Sequence, residues 1–119
     1  MSQNYRRFQA TDPFGRAWTV EFRWLQTAIS IRHSDSVDVK FSLTAEGEPK
    51  QERVVALMHP DLLRLSGKTG HALTDAWCLK LAGRHLQHMI ETAEDLEKGL
   101  VTVLPDELER YAEALKQAA

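Results

Sequence analysis

The sequence predicts a two-layer α+β domain, and three observations carry the prediction: apolar and polar residues alternate through the first half, helical spacing takes over after His59, and strands precede helices along the chain. An antiparallel sheet of four to five strands is expected within residues 5–58, covered on one face by helices near 60–66, 75–93 and 105–117. The 119 residues suffice for one hydrophobic core, so residues 1–119 are read as a single domain. Apolar residues make up 43% and charged residues 27%, a balance that suits a packed globule and excludes the charge-rich, apolar-poor class of disordered chains.

The turn from Asp12 to Gly15 carries Pro13 where a β-turn favours it, leaving YRRFQA before it as a short edge strand. In AWTVEFRW, Trp18, Val20, Phe22 and Trp24 alternate with Thr19, Glu21 and Arg23, so four large apolar groups are expected on one core-seeking face. Ile29 and Ile31, then Val37, Val39, Phe41 and Leu43, continue the alternation on either side of HSDS, whose side chains favour a turn. This predicts an antiparallel hairpin. Gly47 and Pro49 mark the next turn, and the returning strand QERVVALM holds an unbroken apolar run from Val54 to Met58 that predicts cover on both faces.

Pro60 and Asp61 suit the first turn of a short helix that is expected to stop at Gly67, with GKTGHA as a loop. Thr74 can cap a longer helix, along which Leu79, Ala82, Leu86, Met89 or Ile90, and Ala93 recur at steps of three and four. Gly99 is expected to close it, ahead of a brief β-like run from Leu100 to Val103. Pro105 opens the last helix, with Asp106 and Glu107 at its positive end, Lys116 near its negative end, and Leu104, Leu108, Tyr111, Leu115 and Ala118 as its stripe.

Fifteen lysines and arginines against seventeen aspartates and glutamates give a formal charge of −2, so no bulk positive field attracts a polyanion. The first residues carry two arginines without an apolar run behind them, and no stretch approaches the roughly 20 apolar residues of a membrane helix. A soluble cytoplasmic protein without membrane contact is the expectation. Cys78 is the only cysteine, which rules out an internal disulfide and suits a reducing compartment.

Gly67-Lys68-Thr69 resembles the end of a phosphate-binding loop, but that pattern needs a glycine five residues earlier, where Leu62 stands. The five histidines offer a second chemistry. His85, His88 and Glu91 recur every three residues on one helix, as metal ligands do, although the usual zinc helix spaces its histidines by four with a glutamate between them. His33 with Asp35, and His59 with Asp61, form His-x-Asp pairs suited to metal ligation or general-base work. The candidate metal ligands are therefore His33, Asp35, His59, His85 and His88, against the simpler reading of turn-forming, capping and surface groups.

Cys78, in the first turn of a helix, could have its thiol pKa lowered by the dipole, but a buried free cysteine packed as a small hydrophobe is the commoner case. Arg23, Arg32, Lys40 and Arg53 are expected to form a basic strip on the polar sheet face, partly neutralised by Glu21 and Asp38. Trp18 and Trp24 are expected on the opposite face, which argues against a nucleic-acid platform of interleaved cations and aromatics. Trp18, Trp24 and Trp77 are candidate ligand-binding residues should any of them line a cavity instead of the core.

No catalytic constellation stands out from its simpler explanation. The sequence therefore favours a non-catalytic binding or protein-interaction module without a cofactor, homo-oligomeric or bound to a protein partner. The alternatives are a metal-dependent or His/Asp-based enzyme using His33, Asp35 and His59, and a nucleic-acid regulator working through the basic sheet face.

Overall fold

The computed structural model describes residues 5–28 and 36–118. Five strands, β1 (Arg7–Thr11), β2 (Ala17–Ala28), β3 (Ser36–Thr44), β4 (Gln51–Met58) and β5 (Leu100–Thr102), form one sheet in the order β1-β2-β3-β4-β5. The helices are α1 (His59–Thr69), α2 (Asp75–Thr92) and α3 (Pro105–Ala118). The first four strands are antiparallel, as their alternation predicts. The fifth is not drawn from residues 5–58: β5 follows the two helices and joins β4 in parallel, so the chain contains one crossover that strand-then-helix order did not suggest. The turn that would close the β2–β3 hairpin, with Ile29, Ile31 and Arg32, lies outside the described residues.

The turn before β2 forms as expected and is tied together by Asp12. Its carboxylate accepts from the Phe14 and Arg16 amides at 2.9 Å each and from the Trp18 indole at 3.2 Å. Burial pushes the Asp12 carboxyl up, but these hydrogen bonds and the Arg16 charge outweigh it, and the pKa lies below its usual value. Trp18 thereby enters the core with its one polar atom satisfied.

The main correction concerns Trp24. Phe22 pairs with Phe41, yet Trp24, two residues on, pairs with Lys40, the very next residue of β3. The extra residue on β2 is Arg23, a β-bulge that reverses the alternation beyond it. Leu25 takes the core face opposite Val39, and Trp24 is turned out, 37% exposed, with the Lys40 ammonium 5.7 Å from its ring centroid.

Arg53 departs in the opposite sense. Its pairing with Phe41 puts it on the inner face, where it is buried and cannot belong to the basic strip. Each of its three guanidinium nitrogens donates, to the Leu96 carbonyl at 2.7 Å, the Glu52 carbonyl at 2.8 Å and Gln51 Oε1 at 2.6 Å. Lys40 is paired with Glu52 at 3.3 Å, so the neutralising carboxylate comes from β4 and not from Glu21 or Asp38.

α1 runs one turn past its expected end. Gly67 is exposed, with ordinary helical backbone, and Gly70 at φ 72° supplies the left-handed cap. The added turn is held by Thr69 Oγ1 on the Leu65 carbonyl at 2.9 Å and by Lys68 Nζ on Glu109 of α3 at 2.7 Å. Gly67-Lys68-Thr69 thus ends a helix, at the pole that repels phosphate. α2 starts and ends where predicted, at Asp75 and Thr92, with Thr74 Oγ1 accepting from the Trp77 amide at 3.2 Å; left-handed Ala93, and not Gly99, caps its end.

The core lies between the inner sheet face and the helices. Val20, Val39, Phe41 and Val55 meet Leu62, Leu81, Leu86 and Leu108 with no measurable exposure for most of them. β4 is not fully covered, since its outward Val54 and Met58 are only half-buried. Leu104, expected on the α3 stripe, is 60% exposed, because it precedes the helix and donates its amide to Glu107 Oε1 at 3.1 Å.

Gly83 marks the closest approach on α2. A Cβ there would come within 2.5 Å of Tyr5 Cδ1 and 2.9 Å of Tyr5 Cβ, and the buried ring has its root, not its tip, in the way. Gly83→Ala is expected to destabilise by about 1–2 kcal/mol, because overpacking exceeds the ~1 kcal/mol that alanine gains in a helix. Gly67→Ala, with nothing within 4 Å, should stabilise by about 0.5–1 kcal/mol. Urea denaturation of both variants decides the matter; stabilisation by both would mean that Tyr5 does not pack on α2.

Candidate functional site

The region that gathers the most chemistry is where α2 ends, the chain turns through residues 93–99, β5 forms and α3 begins. Ala93 at φ 59° and Asp95 at φ 54° hold left-handed backbone, which for residues bearing a Cβ costs roughly 1–2 kcal/mol each. Two links to β4 hold this turn in place and a third holds the chain just after β5. Arg53 donates to the Leu96 carbonyl at 2.7 Å, the Val54 amide to the Gly99 carbonyl at 2.8 Å, and the Val103 amide to the Ala56 carbonyl at 3.0 Å.

The turn overhangs a cleft of about 260 Å³. Its charged rim is Glu94, Asp95, Lys98 and Glu107; its apolar walls include Met89, Leu100, Val101 and Leu104; His85 and His88 stand on the α2 side. Lys98 reaches Asp95 at 3.1 Å and His88 Nε2 lies 3.5 Å from Glu94. Three carboxylates against one ammonium leave the cleft with a formal charge of −2 when both histidines are neutral. The last turn of α2 carries no basic residue, so the negative pole of the helix is not offset there by lysine or arginine.

His85 is the buried member, 6% exposed. Its Nδ1 lies 2.8 Å from the Tyr111 hydroxyl and 3.8 Å from Glu107 Oε2. In the tautomer of neutral His85 that carries its proton on Nε2, Nδ1 accepts and the phenol donates. Burial lowers the His85 pKa, Glu107 raises it, His88 lowers it, and Glu94 and Asp95 raise it; the net direction is down. Burial, followed by Glu107, pushes the Tyr111 phenol up, which keeps it a donor.

A second cavity of about 220 Å³ opens on the other side of His88, between α2 and α3. Arg84, Arg110 and Glu91 supply its charge, and Tyr111 and Ala114 form part of its wall.

His85 and His88 line one cleft, whereas Glu91 lies in the second cavity. His59 lines neither cavity, and His33 and Asp35 lie outside the described residues. Among the described residues, no three His, Cys, Asp or Glu side chains are placed to hold a metal ion. Trp18 and Trp77 are buried, the latter stacked on His71 at 4.8 Å, and Trp24 alone of the three reaches the surface. Cys78 is buried, its thiol pushed up to about 11 by burial and by Asp75, which leaves it protonated and unreactive at neutral pH.

Glu94, Asp95, Lys98, Glu107 and Tyr111 were not singled out as site residues from sequence. Glu107 had a sequence signal as an acidic residue in the first turn of a helix and Tyr111 as a member of an apolar stripe, and those signals concern capping and packing.

Comparison with protein-family models, with curated proteins and with solved structures finds no match. Among the described residues, no helix is long and apolar enough to cross a membrane.

Proposed function

We propose that the chain is a small non-catalytic binding domain that takes a cationic group, an alkylammonium or guanidinium, in the cleft beneath the 93–99 turn. The observation that carries this reading is the excess of carboxylates around a 260 Å³ space with an apolar wall. The cleft is slightly smaller than the roughly 300–1,000 Å³ of typical small-molecule pockets, which favours a compact ligand. Carboxylates fix the charge, and Met89 and Leu100 face its hydrocarbon part.

A catalytic reading has less support. The His85 nitrogen that would serve as a base is occupied by the Tyr111 hydroxyl, and the Cys78 thiol is protonated. Of His33, Asp35 and His59, on which an enzyme could be built, only His59 lies among the described residues, and it lines neither cavity. A nucleic-acid face is disfavoured by the inward turn of Arg53 and the Lys40–Glu52 pair. The homo-oligomer or protein-partner reading has in its favour the outward row of Trp24, Lys40, Val54 and Leu100, and a buried lone thiol suits the cytoplasm.

Titration with n-alkylamines and alkylguanidines, followed by backbone amide shifts, tests the proposal. Saturable shifts are expected in residues 85–107 of the cleft. The double change Glu94→Gln, Asp95→Asn should weaken binding by about 10-fold or more, the worth of one charge-assisted hydrogen bond. The absence of saturable shifts, or affinity unchanged in the double variant, overturns the proposal.

A further inference from the structure

We infer that the ligand is a small zwitterion, whose cationic end enters the acidic cleft and whose anionic end reaches Arg84 and Arg110 in the neighbouring cavity. This rests on the proposed cation site and adds a second subsite to it.

The two cavities are adjacent by construction of α2 and α3, not by coincidence of surface shape. His88 lines both, and a hydrogen bond joins His85, which lines the first, to Tyr111, which lines the second. They carry opposite charge. The first holds three carboxylates against one lysine, and the second holds two arginines against Glu91. Arg84 has no carboxylate within ion-pair distance among the described residues. Arg110 reaches Glu107 only at 4.0 Å, the limit of such a contact. Glu91 is engaged by the Gln87 amide at 3.3 Å. The second cavity therefore presents the Arg84 guanidinium, with Arg110 held by only one long contact, to a carboxylate, the planar acceptor that arginine matches best.

A molecule spanning both subsites must pass over the His88 imidazole, whose side chain is 34% exposed. The volumes of about 260 and 220 Å³ admit a compact charged group at each end. A single small molecule with separated charges meets both requirements, and a purely cationic one leaves the arginines unused.

The test compares ω-amino carboxylates of increasing chain length with the n-alkylamines of the same length, by calorimetry on the full chain. One length of amino carboxylate should bind about 10-fold or more tightly than its matching amine, the worth of one charge-assisted contact. Arg84→Gln should remove that advantage while leaving amine affinity within about 2-fold; Arg110→Gln should remove it too and, by taking the 4.0 Å cation away from Glu107, should leave amine binding no weaker, and each variant keeps most of the aliphatic stem. If the amines bind and the carboxylate adds nothing at any length, the second subsite is wrong and the cation site stands. If an advantage persists in both glutamine variants, the arginines do not make it and the inference fails. If neither series binds, the cation site and the zwitterion fall together.

Discussion

Phe41→Ala is expected to cost about 3–5 kcal/mol, a large share of the ~5–15 kcal/mol that holds a domain folded. Phe41 has no exposed surface, and its ring meets Phe22 edge-on at 6.2 Å and 72°. The space it would leave has little means to close. Its cross-strand neighbours are Phe22 and Arg53, and the Arg53 guanidinium is held by three acceptors, so it cannot swing in without leaving them. The loss comprises transfer of the ring from water, a cavity term, and the roughly 0.5–1.5 kcal/mol of the aromatic pair. Trp24→Ala, taken from a run of the same alternating appearance, should cost less than about 1 kcal/mol, the range of an exposed cation–π contact. In urea the midpoint of Phe41→Ala should fall with its slope unchanged. Equal losses at the two positions would place Trp24 in the core and remove the bulge at Arg23.

That contrast also shows how far the sequence could be read. The period-2 pattern identified the strands because an inward face is mostly apolar, and β1 and β3 keep that period throughout, whereas β2 breaks it at Arg23 and β4 carries Arg53 inward. A bulge shifts the period by one residue without altering composition. Trp24 and Leu25 are both apolar, so either could have been the inward one, and only the pairing with Lys40 and Val39 decides between them. Arg53 was assigned by charge to the wet side, although a buried arginine is stable once its donors are met, here by the Leu96 carbonyl of a distant turn and by its strand neighbours Glu52 and Gln51. Its partner Leu96 lies 43 residues away in sequence.

The candidate site was less legible than the fold for a related reason. Its carboxylates sit on a turn whose course depends on left-handed backbone at Ala93 and Asp95, where sequence rules expect glycine or asparagine. Helical spacing did put His85 and His88 on one side of α2, but what surrounds them comes from the 93–99 turn and from α3. Tyr111 read as a core residue because it lies on an apolar stripe, and it is one; its hydroxyl is the functional surprise. Packing and hydrogen bonding use different atoms of the same side chain, and periodicity reports only the first.

Tyr111→Phe separates those two uses, and it should act in opposite senses on stability and on its pH dependence. Near neutral pH the loss is expected to be about 1–3 kcal/mol, since the buried His85 Nδ1 loses its donor while the ring packing remains. In the native protein His85 titrates below its ordinary value of 6.5. The folded state thus binds fewer protons than the unfolded state in the window below 6.5, and stability falls there as the pH drops toward the folded pKa, by at most about 1.4 kcal/mol per pH unit for one group. In the Nε2–H tautomer the phenol is expected to oppose protonation as well, because protonation replaces the acceptor it donates to with a second donor. Without the hydroxyl, protonated His85 meets Glu107 across 3.8 Å with no competing donor, so its pKa should rise and the acid-side loss should flatten. Glu107→Gln removes the carboxylate that raises the His85 pKa and should steepen the same loss. Denaturation curves between pH 5 and 8, compared as differences from the native protein, cancel the contribution of the other histidines. A parallel offset for Tyr111→Phe, with no change of slope, would mean that the phenol supports His85 sterically and has no part in its protonation.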